Sequence, residues 1–242
     1  MFGLPASTVP RSIVASAGPT IGRVTTLNAG SNWSIGLTGG AAAANTFLVL
    51  LVGANNYPVL LNTSSGSAWT SLFSNTFYGV SNSGNVIDGG LWTCLYKKCN
   101  SSEPTTYSSN NMPDGTVVIL IEILNASALD GSAFRTTPVS PVAVQSVTPS
   151  NALDLSLIVG VDGYWQYTGA NAETIVMPSG WSTIASVNDG GNLGSGMWAG
   201  AKAGTGTGAI SPGNFTATGK NTYNNTTGLS PNALSAHLLF KA

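Results

Sequence analysis

Val117-Val118-Ile119-Leu120-Ile121-Glu122-Ile123-Leu124 is a nearly continuous apolar run rich in β-branched residues. A membrane-spanning helix needs about 20 apolar residues, so this run is far too short for one. It reads as a β-strand covered on both faces, where the usual alternation of polar and apolar residues is lost. Working outward, three more stretches have the same character. They are Phe47-Leu48-Val49-Leu50-Leu51-Val52-Gly53, Leu155-Ser156-Leu157-Ile158-Val159-Gly160, and Ala233-Leu234-Ser235-Ala236-His237-Leu238-Leu239-Phe240. These four runs are expected to form the centre of a β-sandwich.

Other landmarks accompany the runs and occur twice in one order. The first pass continues through Ala68-Trp69-Thr70-Ser71-Leu72, Gly89-Gly90-Leu91-Trp92 and Thr105-Thr106-Tyr107-Ser108 before reaching 117–124. The second continues through Gly180-Trp181-Ser182-Thr183-Ile184, Gly196-Met197-Trp198 and Asn214-Phe215-Thr216-Ala217 before 233–240. Spacings differ between the passes, and a solenoid needs at least three regular units. The pattern is therefore read as a degenerate duplication, with related halves at about 21–125 and 141–242 fused into one antiparallel sandwich. Two separate small sandwiches are the competing arrangement. Strands are expected near 23–28, 33–37, 46–53, 68–74, 90–97, 104–108 and 116–124, then near 142–147, 153–161, 174–177, 181–187, 195–202, 214–218 and 233–240. Turn candidates are Asn82-Ser83-Gly84, Asp88-Gly89-Gly90, Pro113-Asp114-Gly115, Asp130-Gly131 and Asp189-Gly190-Gly191. Residues 125–141, with Pro138 and Pro141, are expected to cross over between the halves.

Composition narrows the function classes. Charged residues make up 7% of the 242-residue chain, against about 25% in ordinary soluble proteins. The chain is 43% hydrophobic with net charge −1, unlike disordered chains, which are apolar-poor and highly charged. Its surface must be covered by Ser, Thr, Asn and Gly. Charge is the usual protection of sheet edges, so a neutral coat leans towards a component whose edges are covered in an assembly. Eight scattered basic residues argue against a nucleic-acid partner, which needs clustered Lys and Arg. Lys97-Lys98 is the one basic pair and reads as a solvated turn. The start of the chain has no basic region followed by an apolar core, so synthesis in the cytoplasm without membrane insertion is expected.

Residues 1–20 carry Pro5, Pro10 and Pro19 without periodic pattern. They read as an extended arm or loose terminus, and Arg11 is a candidate pin for an arm laid along a neighbouring subunit. Cys94 and Cys99 have opposite strand parity. Free thiols are the default, although a hairpin at Lys97-Lys98 would bring them within bridging reach.

No catalytic constellation stands out. His237 is the only histidine, and alternation groups it with Ser235 and Leu239 on a structural or solvent-facing side. One histidine and two cysteines give no His/Cys metal cluster, and no cofactor is expected. No Gly-X-Ser-X-Gly elbow supports a Ser-His-Asp enzyme. Nine carboxylates are dispersed, with none in calcium-loop spacing. Asp88 and Asp189, each before Gly-Gly, read as turn residues. The remaining candidates are aromatic. Tyr164, Trp165 and Tyr167 follow a buried strand, and Tyr57 is their counterpart in the first pass. Rings in loops cap a sandwich core, anchor a protein interface or stack on sugars.

The element Met177-Pro178-Ser179-Gly180-Trp181-Ser182-Thr183-Ile184, its weaker copy Ser67-Ala68-Trp69-Thr70-Ser71-Leu72, and Glu103-Pro104-Thr105-Thr106-Tyr107 resemble segments of bacteriophage virion structural proteins. The resemblance runs from about 21 to 242. It implies a jelly-roll-like or lectin-like sandwich of the capsid-decoration or tail-fibre type, with no catalytic residue to transfer. The expected function is a capsid decoration (cement) protein on the particle exterior. Its partners would be the major capsid protein or other virion proteins, and its own copies as a homo-oligomer such as a trimer. The alternative is a tail-fibre or receptor-binding module that holds host surface glycan at the aromatic loops. A polysaccharide hydrolase is a third, weaker class.

Overall fold

The computed structural model describes residues 18–29, 32–55, 66–80, 86–109, 116–135, 142–164, 174–188, 194–204, 206–218, 220–221, 226–227 and 234–242. No helix occurs among them. In the first half the strands are β1 (Thr20–Ala29), β2 (Trp33–Ile35), β3 (Phe47–Asn55), β4 (Thr70–Val80), β5 (Val86–Lys98), β6 (Tyr107–Ser109) and β7 (Thr116–Leu124). In the second they are β8 (Ala128–Phe134), β9 (Val142–Val144), β10 (Leu155–Tyr164), β11 (Thr174–Val176), β12 (Ser182–Asn188), β13 (Gly194–Ala203), β14 (Gly213–Thr218), β15 (Lys220–Asn221), β16 (Thr226–Thr227) and β17 (Leu234–Lys241).

Two five-stranded antiparallel sheets carry the fold. The first has the order β1-β7-β3-β5-β4 and the second β8-β17-β10-β13-β12. Each position in one sheet is filled by the strand of corresponding rank in the other. Cross-strand pairing repeats too: Gly53 opposes Trp92 and Gly160 opposes Trp198. Each sheet is drawn from one half of the chain, whereas in a jelly roll the chain alternates between sheets.

The sheets pack face to face. Val49, Leu51, Ile119 and Ile121 from the first meet Leu157, Val159, Ala236 and Leu238 from the second, all buried. Phe47 meets Phe240 edge-on at 5.8 Å, and Phe73 stacks on Phe134 at 5.0 Å. Each sheet also has a cover on its outer face. β2 pairs with β6 over the first, enclosing Leu48, Leu50, Val52, Val118 and Leu120 with Trp33, Ile35 and Tyr107. Strands β9, β14 and β11 lie over the second, where Val144, Ile158, Trp198 and Phe215 cluster. This double cover explains the long apolar runs, because both faces of 47–53 and of 116–123 are buried. Each fully enclosed aliphatic side chain contributes about 1.5–3 kcal/mol.

Several expectations need correction. The segment 125–141 contains a strand: β8 pairs with β17 at the edge of the second sheet. Ala, Asp, Gly and Ser dominate it, so its strand character comes from the partner's backbone. Asp88-Gly89-Gly90 and Asp130-Gly131 are not turns, since they lie inside β5 and β8. Gly90 is paired on both sides, to Asn55 and Phe77. Lys97-Lys98 is no solvated turn either, because both residues end β5 and Lys97 is 2% exposed. The hairpin that would have joined the cysteines is therefore missing. Cys94 is free on the inter-sheet face and Cys99 is free in the cluster beneath the outer cover. The turn candidates at 82–84, 113–115 and 189–191 lie outside the described residues.

Two buried clusters beneath tryptophans

Each half has a tryptophan just before one of its edge strands, and each tryptophan lies over a buried titratable group. In the first half Trp69 leads into β4. Lys97 Nζ sits 4.6 Å from the Trp69 ring centroid and 4.4 Å from that of Tyr107. Alternation along β5 places Lys97 with Leu95 and Cys99 on the face covered by β6. The ammonium is paired with Glu103, whose carboxylate is equally closed to solvent. Ser67 donates its amide and hydroxyl to Glu103 Oε1 at 2.9 and 2.7 Å, and the Asn100 amide donates at 3.1 Å. Tyr107 donates its hydroxyl to Oε2 at 3.0 Å. Burial pushes the Glu103 carboxyl up, but Lys97 and the Ser67 and Asn100 donors outweigh it and hold the group at about 2. Burial, followed by the bond to Glu103, pushes the Tyr107 phenol upward.

Gly66 makes room for this arrangement. It has φ +88°, and a Cβ there would lie 2.6 Å from Glu103 Oε2. The copy around Trp69 lacks the Pro-Ser-Gly of 178–180, yet it keeps a left-handed glycine three residues before its tryptophan. In the second copy the left-handed residue is Gly180, φ +82°, within a turn closed by the Trp181 amide on Pro178 O at 3.2 Å.

In the second half Trp181 leads into β12 and lies edge-on to His237, 5.7 Å between ring centroids. His237 Nδ1 is 2.9 Å from the Gln145 carbonyl, which only accepts, so Nδ1 carries the proton. Nε2 therefore accepts from the Ser156 hydroxyl. Ser235, on the same face of β17, donates to Ala143 O at 3.1 Å. His237 and Ser156 are fully buried. Desolvation lowers the histidine's affinity for a proton, although the Gln145 bond works the other way. The parity expected for His237 is the parity observed, but the cover formed by β9 and β14 makes that face an interior. A serine and histidine in contact suggest a nucleophile, but attack needs access, and these two side chains have none.

A third group of polar residues is structural. Asp130 accepts the Ser150 amide and hydroxyl at 2.6 and 2.7 Å, while Asp154 accepts the Ala242 amide at 3.0 Å and the Asn151 amide at 3.2 Å. Desolvation raises the Asp154 carboxyl, and hydrogen bonds from Ser150 lower that of Asp130. Among the described residues no three His, Cys, Asp or Glu side chains gather as a metal site.

The residues singled out from sequence fall elsewhere. Pro5, Pro10, Arg11, Tyr57, Trp165 and Tyr167 lie outside the described residues. Tyr164 ends β10, with its backbone opposite Gly194. Sequence reasoning missed the Lys97–Glu103 pair. The signal available was the position of Lys97 within the alternation of β5, two residues after Leu95. Comparison with protein-family models, with curated proteins and with solved structures found no match to this chain.

Proposed function

We propose that the chain is a structural, non-catalytic component of a bacteriophage virion, carried on the particle exterior as a capsid decoration protein. The edge strands β1 and β8 carry Arg23 and Asp130, so the observation that supports the reading is the opposite edge of each sheet, β4 and β12. Neither contains a Lys, Arg, Asp or Glu. Proteins that stay alone protect such edges with charge, so edges without it suit a subunit that docks against neighbours. Among the described residues, the buried charged side chains Lys97, Glu103, Glu122 and Asp154 all have internal partners, which fits a framework more than a catalyst. The mechanism is burial of strand edges and of the N-terminal arm across joints between capsid subunits. This adds binding energy that the bare shell lacks. Partners are the major capsid protein and further copies of this chain, with a trimer suited to a three-fold position.

The test is the copy number of the protein per particle, from quantitative mass spectrometry against the major capsid protein. Hundreds of copies are expected. A few to a few dozen would move the protein to the tail and favour recognition of host glycan, and none would remove it from the virion.

A further inference from the structure

We propose that His237 is an acid-operated latch that holds β9, and with it the outer cover of the second half, against the second sheet. Ser235 Oγ to Ala143 O and His237 Nδ1 to Gln145 O attach the β9 segment to β17 directly. In the neutral state the ring fits this place without remainder, with Nδ1–H to a carbonyl and Nε2 accepting from Ser156. Protonation turns Nε2 into a donor. The Ser156 oxygen then accepts from the ring, and its own proton has to find another acceptor beside the apolar cluster of Ile158, Trp198 and Phe215. The imidazolium would also be buried without an anion, which costs several kcal/mol.

Among the described side chains none offers the cation compensation. Strands β9, β11 and β14 and the turn 177–181 contain no charged residue. On β13, Lys202 pairs with Ser156, and just beyond β8 the amide of Arg135 binds Ser235 O. On β17 itself Lys241 lies on the same side by alternation. All three are cations. Among the described residues the carboxylates are distant or engaged: Asp154 and Asp162 each stand four residues along the chain from Ile158, the partner of His237, or about 13 Å. Asp130 is bound to Ser150. The ordinary histidine value is 6.5 and the folded value is lower. Stability from the neutral ring is therefore complete above 6.5 and is lost as pH falls through and below it. The second half loosens its cover in mild acid, whereas the cover of the first half, fastened by an ion pair, stays closed.

The experiment is amide hydrogen exchange on the intact chain at about pH 7 and about pH 5, corrected for intrinsic exchange. Segments 142–147 and 213–218 should exchange about tenfold faster at the lower pH, with 117–123 unchanged. H237Q, which bonds without titrating, should abolish the difference. Equal protection at both pH values, or the same acceleration in H237Q, would overturn the latch. If H237Q fails to fold, the wild-type ring decides, since the only histidine gives one unambiguous NMR signal. Titration below 6.5 in step with the exchange supports the latch. Titration at or above 6.5, or titration with the cover still protected, rejects it.

Discussion

The ammonium of Lys97 and the carboxylate of Glu103 meet inside the first half with both side chains closed to water and two aromatic rings against the cation. A buried pair of this kind is costly to break from one side, because the remaining charge is left without a partner. E103Q and K97M should each destabilise the protein by about 3–5 kcal/mol in urea unfolding, and the double variant by clearly less than the sum. The depressed Glu103 carboxyl contributes stability above its ordinary value of 4.5 and loses it as pH falls towards about 2. The gap between wild type and E103Q should therefore narrow across that range. Additive single variants, or a gap independent of pH, would show that the two groups are not coupled.

Phe215 of β14 lies on Gly160 of β10, where a Cβ would come within 3.1 Å of the ring. The glycine ending the apolar run is thus the seat of the outer cover. G160A should cost little, and G160V about 1–3 kcal/mol through overpacking, with faster amide exchange concentrated at 213–218. F215L should recover part of that loss in the G160V background. Unchanged thermal stability in G160V would mean that the ring does not rest there.

The long central strands were legible because a strand covered on both faces has little alternation to confuse with other patterns, and in 117–124 only Glu122 interrupts it. Parity arguments also held where they concerned one strand alone, as for Cys94 against Cys99 and for the side taken by His237. What stayed hidden depended on neighbours. β8 has little strand preference of its own and takes its form from β17. Lys97 looked solvated because nothing local reveals that Glu103, beyond the next turn, folds back to it. His237 looked free to face water because the cover over its sheet is built from β9 and β14, which lie far from it in the chain. The aromatic residues Tyr57, Trp165 and Tyr167 fall outside the described residues, so their role rests on the sequence alone.

The two thiols should be inert in the folded protein. Burial pushes Cys94 up to about 12 and Cys99 up to about 11. From the thiolate fraction alone, alkylation should slow by about a thousandfold for Cys94 and about a hundredfold for Cys99 relative to the unfolded chain. Mass spectrometry after a timed pulse of iodoacetamide, with and without denaturant, reads this directly. Rapid labelling of Cys94 in native buffer would place it at a surface or in a segment that opens often.

Arg23 joins two strands and a loop. Its guanidinium binds both oxygens of Glu122 at 2.7 and 2.6 Å and reaches the carbonyls of Thr38, Gly40 and Ala41 at 3.2, 3.0 and 3.2 Å. Glu122 is buried within β7, and Arg23 is what holds its carboxyl below the usual range. R23A should strand that charge and cost about 3 kcal/mol or more. R23K separates the two roles, because an ammonium can keep the ion pair but cannot span three carbonyls as a planar fork does. It should retain most of the stability while amide exchange accelerates at 38–46. Equal exchange in R23K and wild type would mean that the loop is held by its own turns, and that Arg23 serves only to neutralise Glu122.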